Sequence, residues 1–418
     1  MANESKNITL GLTGSFGSGC STLAEALKAH GFQRITLSSA IRAEWAKTPT
    51  GTTPPSRKEL QELGNTLRQS KSPSYLAEVA EAEGKKLGGQ VVFDGIRNQA
   101  EAQFLRESFP NFFLIAVWCP QPERWKRIQS EYDGSQTDFL ADDERDKDEE
   151  LQYGQQVQLC VDNADIVISN EVSYNSKPAA VAALKTKISE YLSLLDGSKL
   201  RTPTQAEAAM AVAYTYSLRS LCIKRQVGAV IAETNGKVIS VGYNENPEPV
   251  APCIKQFTGC YKDDWMHQHL ELQLQKNGNK CYKCQESISS IAALGATYKC
   301  PKCKTSFVRM YAPDRGMSRC TAIHAENMAI MNAGGRNLDG TILYTTTFPC
   351  SQCARQVVYA GIKEVVYVEP YPDPDSNRFL KEFSDRRVRL FEGVKARAYE
   401  RVFSRVREQH EKAYALNK

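Results

Sequence analysis

The pattern that most restricts how this chain can fold is HAE at 324–326 followed by PCSQC at 349–353. One imidazole (His324) and two thiols (Cys350, Cys353) are the three protein ligands of a zinc site that keeps its fourth tetrahedral position for water. Ligands so far apart must be brought together by the chain between them. That stretch reads as helix from His324 to Gly334, strand through TILYTTTF, and helix from Ser351 to Gly361. Cys353 falls one turn into the last helix, where the helix N-terminus favours a thiolate. Glu326 cannot be a ligand if water is to stay, so it is the expected proton carrier.

Thirteen cysteines fall in a chain of 418 residues, and three C-x-x-C pairs account for six of them. The amino-terminal MANESKNITL has no basic-then-apolar leader, which predicts a cytoplasmic, reducing setting where such pairs bind metal. Cys281, Cys284, Cys300 and Cys303 form C-x2-C-x15-C-x2-C, the spacing of a closed structural zinc site. Cys253, Cys260, His267 and His269 are a candidate further metal site, but their irregular spacing favours ordinary structural roles. No apolar run reaches the length of a membrane span. The formal charge of +5 suits anionic ligands and is too mild for a dedicated DNA binder.

The first two hundred residues alternate strand and helix. ITLGLT, QVVFDGIR, FFLIAVWCP and ADIVISN read as buried strands, which predicts a parallel α/β sheet. The first strand runs into GSFGSGCST (14–22), where Gly14, Gly19 and Ser21 fit the G-x-x-x-x-G-K-[ST] phosphate loop but Cys20 stands at the lysine. DGSKLRTPTQ (196–205) reads as a linker. Beyond it lie a helix, a β-hairpin turning at Asn235-Gly236, a Cys- and Lys-rich insertion at about 250–318, and a charged C-terminal helix. No internal repeat is evident.

Several pieces carry a family resemblance: LRSLCIKRQVGAVI (218–231), GYNENP (242–247), CTAIHAENMAI (320–330), TTTFPCSQCARQVVYAGI (345–362) and VVYVEPYPD (365–373). Residues from about 203 to 395 thereby resemble the deoxycytidylate deaminase branch of the cytidine deaminase superfamily. The resemblance implies zinc on His324, Cys350 and Cys353, Glu326 as proton shuttle and Asn244 against the nucleoside. Glu245 and Asn246 stand where the family usually has glycine. Arg219, Lys224 and Arg225 are candidate phosphate contacts. The first two hundred residues resemble nucleoside monophosphate kinases, with Gly14, Gly17, Gly19, Ser21, Thr22 and Asp94 at the nucleotide positions and Mg²⁺ as the implied ion. The segment 57–69, Arg97, Arg124 and Arg127 look like the basic positions that hold substrate. Without the lysine, phosphoryl transfer is not expected.

The expected fold class is therefore α/β: a kinase-like P-loop parallel-sheet domain (1–198), then an α/β/α cytidine-deaminase-like domain (203–418) with a zinc-ribbon insertion. That module order resembles the bacterial antiviral deoxycytidylate deaminases. It implies deamination of dCTP or dCMP to uracil nucleotides, a regulatory kinase-like part responding to a nucleotide or RNA, and a homo-oligomer, often a hexamer. A bifunctional kinase–deaminase and a nucleic-acid deaminase remain the alternatives.

Overall fold

A computed structural model describes residues 7–47, 54–147, 153–171, 176–295, 298–314, 316–370 and 374–416. The amino-terminal 1–6 and residues 371–373 of VVYVEPYPD, both used in the sequence reading, lie outside these. The strands are β1 (Thr9–Thr13), β2 (Gln33–Thr36), β3 (Val91–Asp94), β4 (Phe112–Trp118), β5 (Ile166–Ser169), β6 (Gly228–Ala232), β7 (Val238–Tyr243), β8 (Ile342–Thr347), β9 (Glu364–Glu369), β10 (Arg387–Leu390) and β11 (Gly393–Val394). They form two sheets in a mixed α/β chain, and the chain divides into two compact units, 1–211 with 390–418, and 212–389.

The first unit holds the sheet β11-β5-β4-β1-β3-β2. Strands β1 to β5 run parallel. Parallel neighbours need crossover connections, which the charged helical segments between them supply. Strands covered on both faces read as unbroken apolar runs, and β1 and β3 are buried at every residue. Because the strands share a direction, Gly14, Asp94, Cys119 and Asn170 all follow carboxyl ends on one edge, the usual ligand edge of such sheets.

The expected domain boundary differs at the C-terminus. Residues 390–418 pack with the first unit. β11 pairs antiparallel with β5. Val394, Ala398, Val402 and Phe403 then join the core formed by Leu10, Leu23, Ile115 and Leu184. The apolar stripe of the helix Ala396–Leu416 reads the same whichever core it covers, so the sequence could not assign it.

The second unit holds the sheet β10-β9-β8-β6-β7. β6 and β7 form the predicted hairpin, with Gly236 at φ 90° in its turn. β8 pairs antiparallel with β6 and parallel with β9. The helices Ala325–Asn332 and Ser351–Tyr359 contribute Ala325, Ala329, Ala354 and Val357 to its core. Among the described residues, no helix is long and apolar enough to cross a membrane.

Candidate active site

Two helix N-termini meet at the site. His324 is the N-cap of Ala325–Asn332, and Cys350, just past the end of β8, is the N-cap of Ser351–Tyr359. Glu326 and Cys353 therefore sit in first turns, where unpaired backbone N–H groups favour negative charge. Close packing sets the first helix in place. A Cβ on Gly242 of β7 would run into the backbone of Ala325 and Ala329. Ser240 Oγ donates to Ala329 O at 2.7 Å on the same face.

The His324 Nδ1 lies 3.4 Å from Cys350 Sγ and 3.3 Å from Cys353 Sγ, and the three ligand atoms fall within 4.8 Å of one another. A tetrahedral zinc with Zn–S of about 2.3 Å and Zn–N of about 2.05 Å separates such atoms by about 3.6 Å. The donor set and its spacing fit zinc. Hydrogen bonding from Cys353, then from His324, pulls the Cys350 thiol down to about 4, which makes it a thiolate. Glu326 is 4% exposed, and burial pushes its carboxyl up while the His324 charge opposes this. A carboxyl whose burial favours its protonated form more than in water is suited to take up a proton and return it.

A cavity of about 300 Å³ has Asn244, Glu245, Asn246, Cys320, Thr321 and Ala322 in its lining, and Cys320 is its link to His324. Glu245 and Ile323 form a β-bridge with N–H···O distances of 3.1 and 2.8 Å, tying the GYNENP segment to the residue before His324. Asn244 acts within this frame. Its Oδ1 accepts from Val227 N at 2.7 Å and its Nδ2 donates to Arg225 O at 2.9 Å, so both polar atoms hold the 225–227 backbone. Arg219, Lys224 and Arg225 are exposed. Arg219 lies over the Tyr243 ring, Lys224 pairs with Asp263 at 2.6 Å, and Arg225 reaches Glu369 at 3.8 Å. Sequence reasoning gave no role to Cys320, whose thiol hydrogen-bonds the His324 imidazole. A lone cysteine in CTAIHAE carries no spacing signal.

The four cysteines of the insertion also converge, with all four sulfurs within 4.8 Å of one another. Cys281 and Cys303 are 3.6 Å apart, as are Cys284 and Cys300, against about 3.8 Å for thiolates on one tetrahedral zinc. The backbone repeats itself here. Cys281 N donates to Glu286 O and Cys300 N to Thr305 O; Ile288 N donates to Asn279 O and Phe307 N to Tyr298 O. Gln285 and Lys304 both have positive φ, at 59° and 56°. NKCYKCQESI (279–288) and YKCPKCKTSF (298–307) are thus two copies of one turn, offset by 298 − 279 = 19 residues. This short internal repeat, absent from the sequence reading, shares only its cysteines, a lysine pair and a serine, too little to stand out without the matching turns. Leu270, Leu274, Ile288 and Phe307 pack around it. His267 and His269 take ring contacts with Tyr298 and Trp265, and neither they nor Cys253 and Cys260 belong to a convergent ligand group among the described residues.

In the first unit, Ser21 Oγ reaches Asp94 Oδ2 at 3.4 Å beside the glycine loop. Arg124 and Arg127, expected to hold substrate, hold the protein instead. Arg124 is 3% exposed and bidentate to Asp143 at 2.6 and 2.9 Å. Arg127 donates to Gly17 O and Ser18 O at 3.3 Å and to Asn170 O at 2.7 Å. Buried guanidinium groups need partners, and a loop rich in exposed carbonyls supplies them.

A His-Cys-Cys set with a glutamate buried beside it is the donor pattern of zinc-dependent deaminases. The model for the cytidine and deoxycytidylate deaminase zinc-binding region matches residues 203–369. The chain is 30% identical over 172 residues to the deoxycytidylate deaminase of Enterobacteria phage T2, a match covering 40% of this chain and 81% of that one. It is 29% identical over 170 residues to the phage T4 deoxycytidylate deaminase, covering 40% and 79%. A solved dCMP deaminase from the cyanophage S-TIM5, in complex with dCMP and dUMP, is 19% identical, covers 46% of this chain and all of that one, and has a TM-score of 0.28. The chain belongs to the cytidine and deoxycytidylate deaminase family and is an enzyme of that kind.

Proposed function

We propose that the second unit hydrolyses deoxycytidine nucleotides, dCMP and dCTP, to deoxyuridine nucleotides and ammonia. The carrying observation is the convergence of His324, Cys350 and Cys353 around one point with Glu326 buried beside them. His324, Cys350 and Cys353 would hold a zinc ion, which would supply the Lewis acidity that makes water a nucleophile near neutral pH. Glu326 takes the proton of the attacking water and delivers it to the ring N3 as oxygen adds at C4. It then passes the second proton to the departing amine, so that ammonia leaves and a carbonyl remains. Cys320 keeps the His324 ring oriented, and Asn244, itself in the cavity lining, holds the 225–227 backbone. The exposed Arg219, Lys224 and Arg225 attract the phosphates.

Cys281, Cys284, Cys300 and Cys303 are proposed to hold a second, structural zinc that ties the two turns together and takes no part in the reaction. The first unit is read as a kinase-like phosphate cradle with a regulatory task. The order of the two modules supports depletion of dCTP in defence against phage, in a cytoplasmic homo-oligomer. The test is a product assay with purified protein on dCMP, dCTP, CTP and cytidine, with Glu326→Ala as control. Formation of dUMP or dUTP with ammonia, abolished in the variant, is the expected result. If neither deoxynucleotide reacts while a cytosine-containing oligonucleotide does, the reading fails.

A further inference from the structure

The glycine loop turns its carbonyls outward onto protein donors. Arg124 Nη1 donates to Phe16 O at 3.0 Å, Arg127 Nη1 to Gly17 O and Ser18 O at 3.3 Å, and Asn170 Nδ2 to Ser18 O at 2.7 Å. Gly14, Gly17 and Gly19 have φ of 155°, 75° and 109°. Such conformations line successive N–H groups along one concave side, the shape of a backbone anion nest. Among the described residues, the N–H groups of Phe16, Gly17, Gly19 and Cys20 find no backbone acceptor.

Two buried amides of the first unit, one of them touching the loop, are also incompletely bonded. Asn170 is 3% exposed and its Oδ1 has no partner, although its Nδ2 touches the loop. Gln61 is 4% exposed and neither of its amide atoms has one. It lies one helical turn after Arg57, whose guanidinium stacks 4.2 Å over the Phe16 ring of the loop. Buried amides are almost always satisfied, so these offer a donor and acceptors to a polar ligand such as a nucleobase edge.

The cation that usually accompanies a nucleotide on such a loop would find one of its carboxylate ligand atoms already taken, Asp94 Oδ2. A magnesium ion would be held by the hydroxyl at Ser21 and the acid at the end of β3, Asp94. Asp94 Oδ2 instead accepts from Arg34 Nε at 3.0 Å and Nη2 at 2.5 Å, and from Ser21 Oγ at 3.4 Å. Asp94 is 5% exposed, while Arg34 keeps 28% of its side chain in water and Ser21 is exposed. Cys20, at the lysine position, stays neutral, its thiol pushed up to about 12 by burial and then by Asp94.

We propose that the first unit binds the phosphates of a nucleotide on the N–H groups of Phe16, Gly17, Gly19 and Cys20 without a divalent cation, Arg34 standing where the cation would. This rests on reading the first unit as a phosphate cradle. The site binds and does not transfer phosphate, since Cys20 stands at the lysine position and offers no charge to neutralise a transferring group.

The test uses full-length protein in buffer stripped of divalent cations by resin, with ATP as the probe and calorimetric titration as the readout. The expected result is one ATP per chain, displaced by inorganic phosphate, with a Kd changed less than about threefold by millimolar magnesium. Arg34→Gln frees Asp94 Oδ2, so ATP binding weakens about tenfold or more without magnesium and recovers with it. Arg34→Lys keeps magnesium-independent binding. Circular dichroism checks that each variant is folded; if Arg34→Gln is not, the magnesium titration of the unaltered protein decides alone. ATP bound only with magnesium overturns the inference and leaves the cradle standing. ATP binding that Arg34→Gln leaves unchanged with and without magnesium places the nucleotide elsewhere and also overturns it. No binding of ATP or phosphate under either condition overturns the cradle reading itself.

Discussion

Gly242→Ala tests whether the close approach of β7 to the helix Ala325–Asn332 sets the catalytic geometry. The added Cβ would lie 3.0 Å from Met328 C and nearer still to the backbone of Ala325 and Ala329. Ordinary carbon contacts need about 3.5–4.0 Å, so the helix must retreat by about 1 Å. Backbone atoms cannot rotate away as a flexible side chain would. The strain costs about 2 kcal/mol, in the range of overpacked cores, which lowers Tm by about 4–8 °C. The larger effect falls on the reaction, because that helix begins at His324 and carries Glu326 in its first turn. A misplacement of about 1 Å at reacting groups lowers the rate about 100-fold. The assay is steady-state deamination of dCMP by Gly242→Ala, with zinc content and melting temperature measured on the same preparation. The reasoning predicts a fall in kcat of about two orders of magnitude with the protein still folded. A variant with unaltered kcat would falsify it.

Three further outcomes follow from other sites. Glu326→Gln retains the burial and shape of the side chain but cannot move a proton, so kcat falls by about 10²- to 10⁴-fold while the melting temperature holds or rises, as seen by ammonia release and calorimetry. Cys284→Ser reduces bound zinc by one ion per chain, measured by mass spectrometry, and opens residues 276–309 to protease while His324, Cys350 and Cys353 keep their metal. Glu207 is 1% exposed and accepts from Arg201 at 2.7 and 2.9 Å, Thr204 N at 2.8 Å and Val394 N at 2.9 Å. Burial raises its carboxyl, but the Arg201 and backbone hydrogen bonds outweigh this and hold it below the ordinary value of 4.5. A depressed folded value gives stability that is present above 4.5 and lost as pH falls through the folded value. Glu207→Gln therefore costs about 2 kcal/mol at pH 7, less than for a fully buried pair because Arg201 keeps a third of its side chain in water. The difference from the unaltered protein, followed by urea denaturation, shrinks as pH drops below 4.5; a constant difference refutes the assignment.

Both cysteine clusters were legible because metal ligation imposes spacing on the sequence itself. A C-x-x-C pair is one local turn, and H-x-E is the first turn of one helix, so each half-site can be read without knowing the fold. The alternation of apolar strands and amphipathic helices likewise exposed the parallel sheet of the first unit. Arginines carry no such local mark. Arg34, Arg124 and Arg127 have one chemistry in the sequence, yet in the fold one holds Asp94, one holds Asp143 and one holds loop carbonyls. Asn244 shows the same limit, since only the folded loop reveals that its amide holds the 225–227 backbone.

By itself, then, the sequence determined the chemistry of the deaminase site, the paired cysteine turns and the class of the first sheet, all of which depend on residues close in the chain. Tertiary structure alone decided where the last residues pack, which groups each charged side chain meets, and that the Arg34 guanidinium meets Asp94 beside the glycine loop. Those outcomes depend on distances between segments far apart in the chain, which burial and electrostatic pairing settle only after the segments meet.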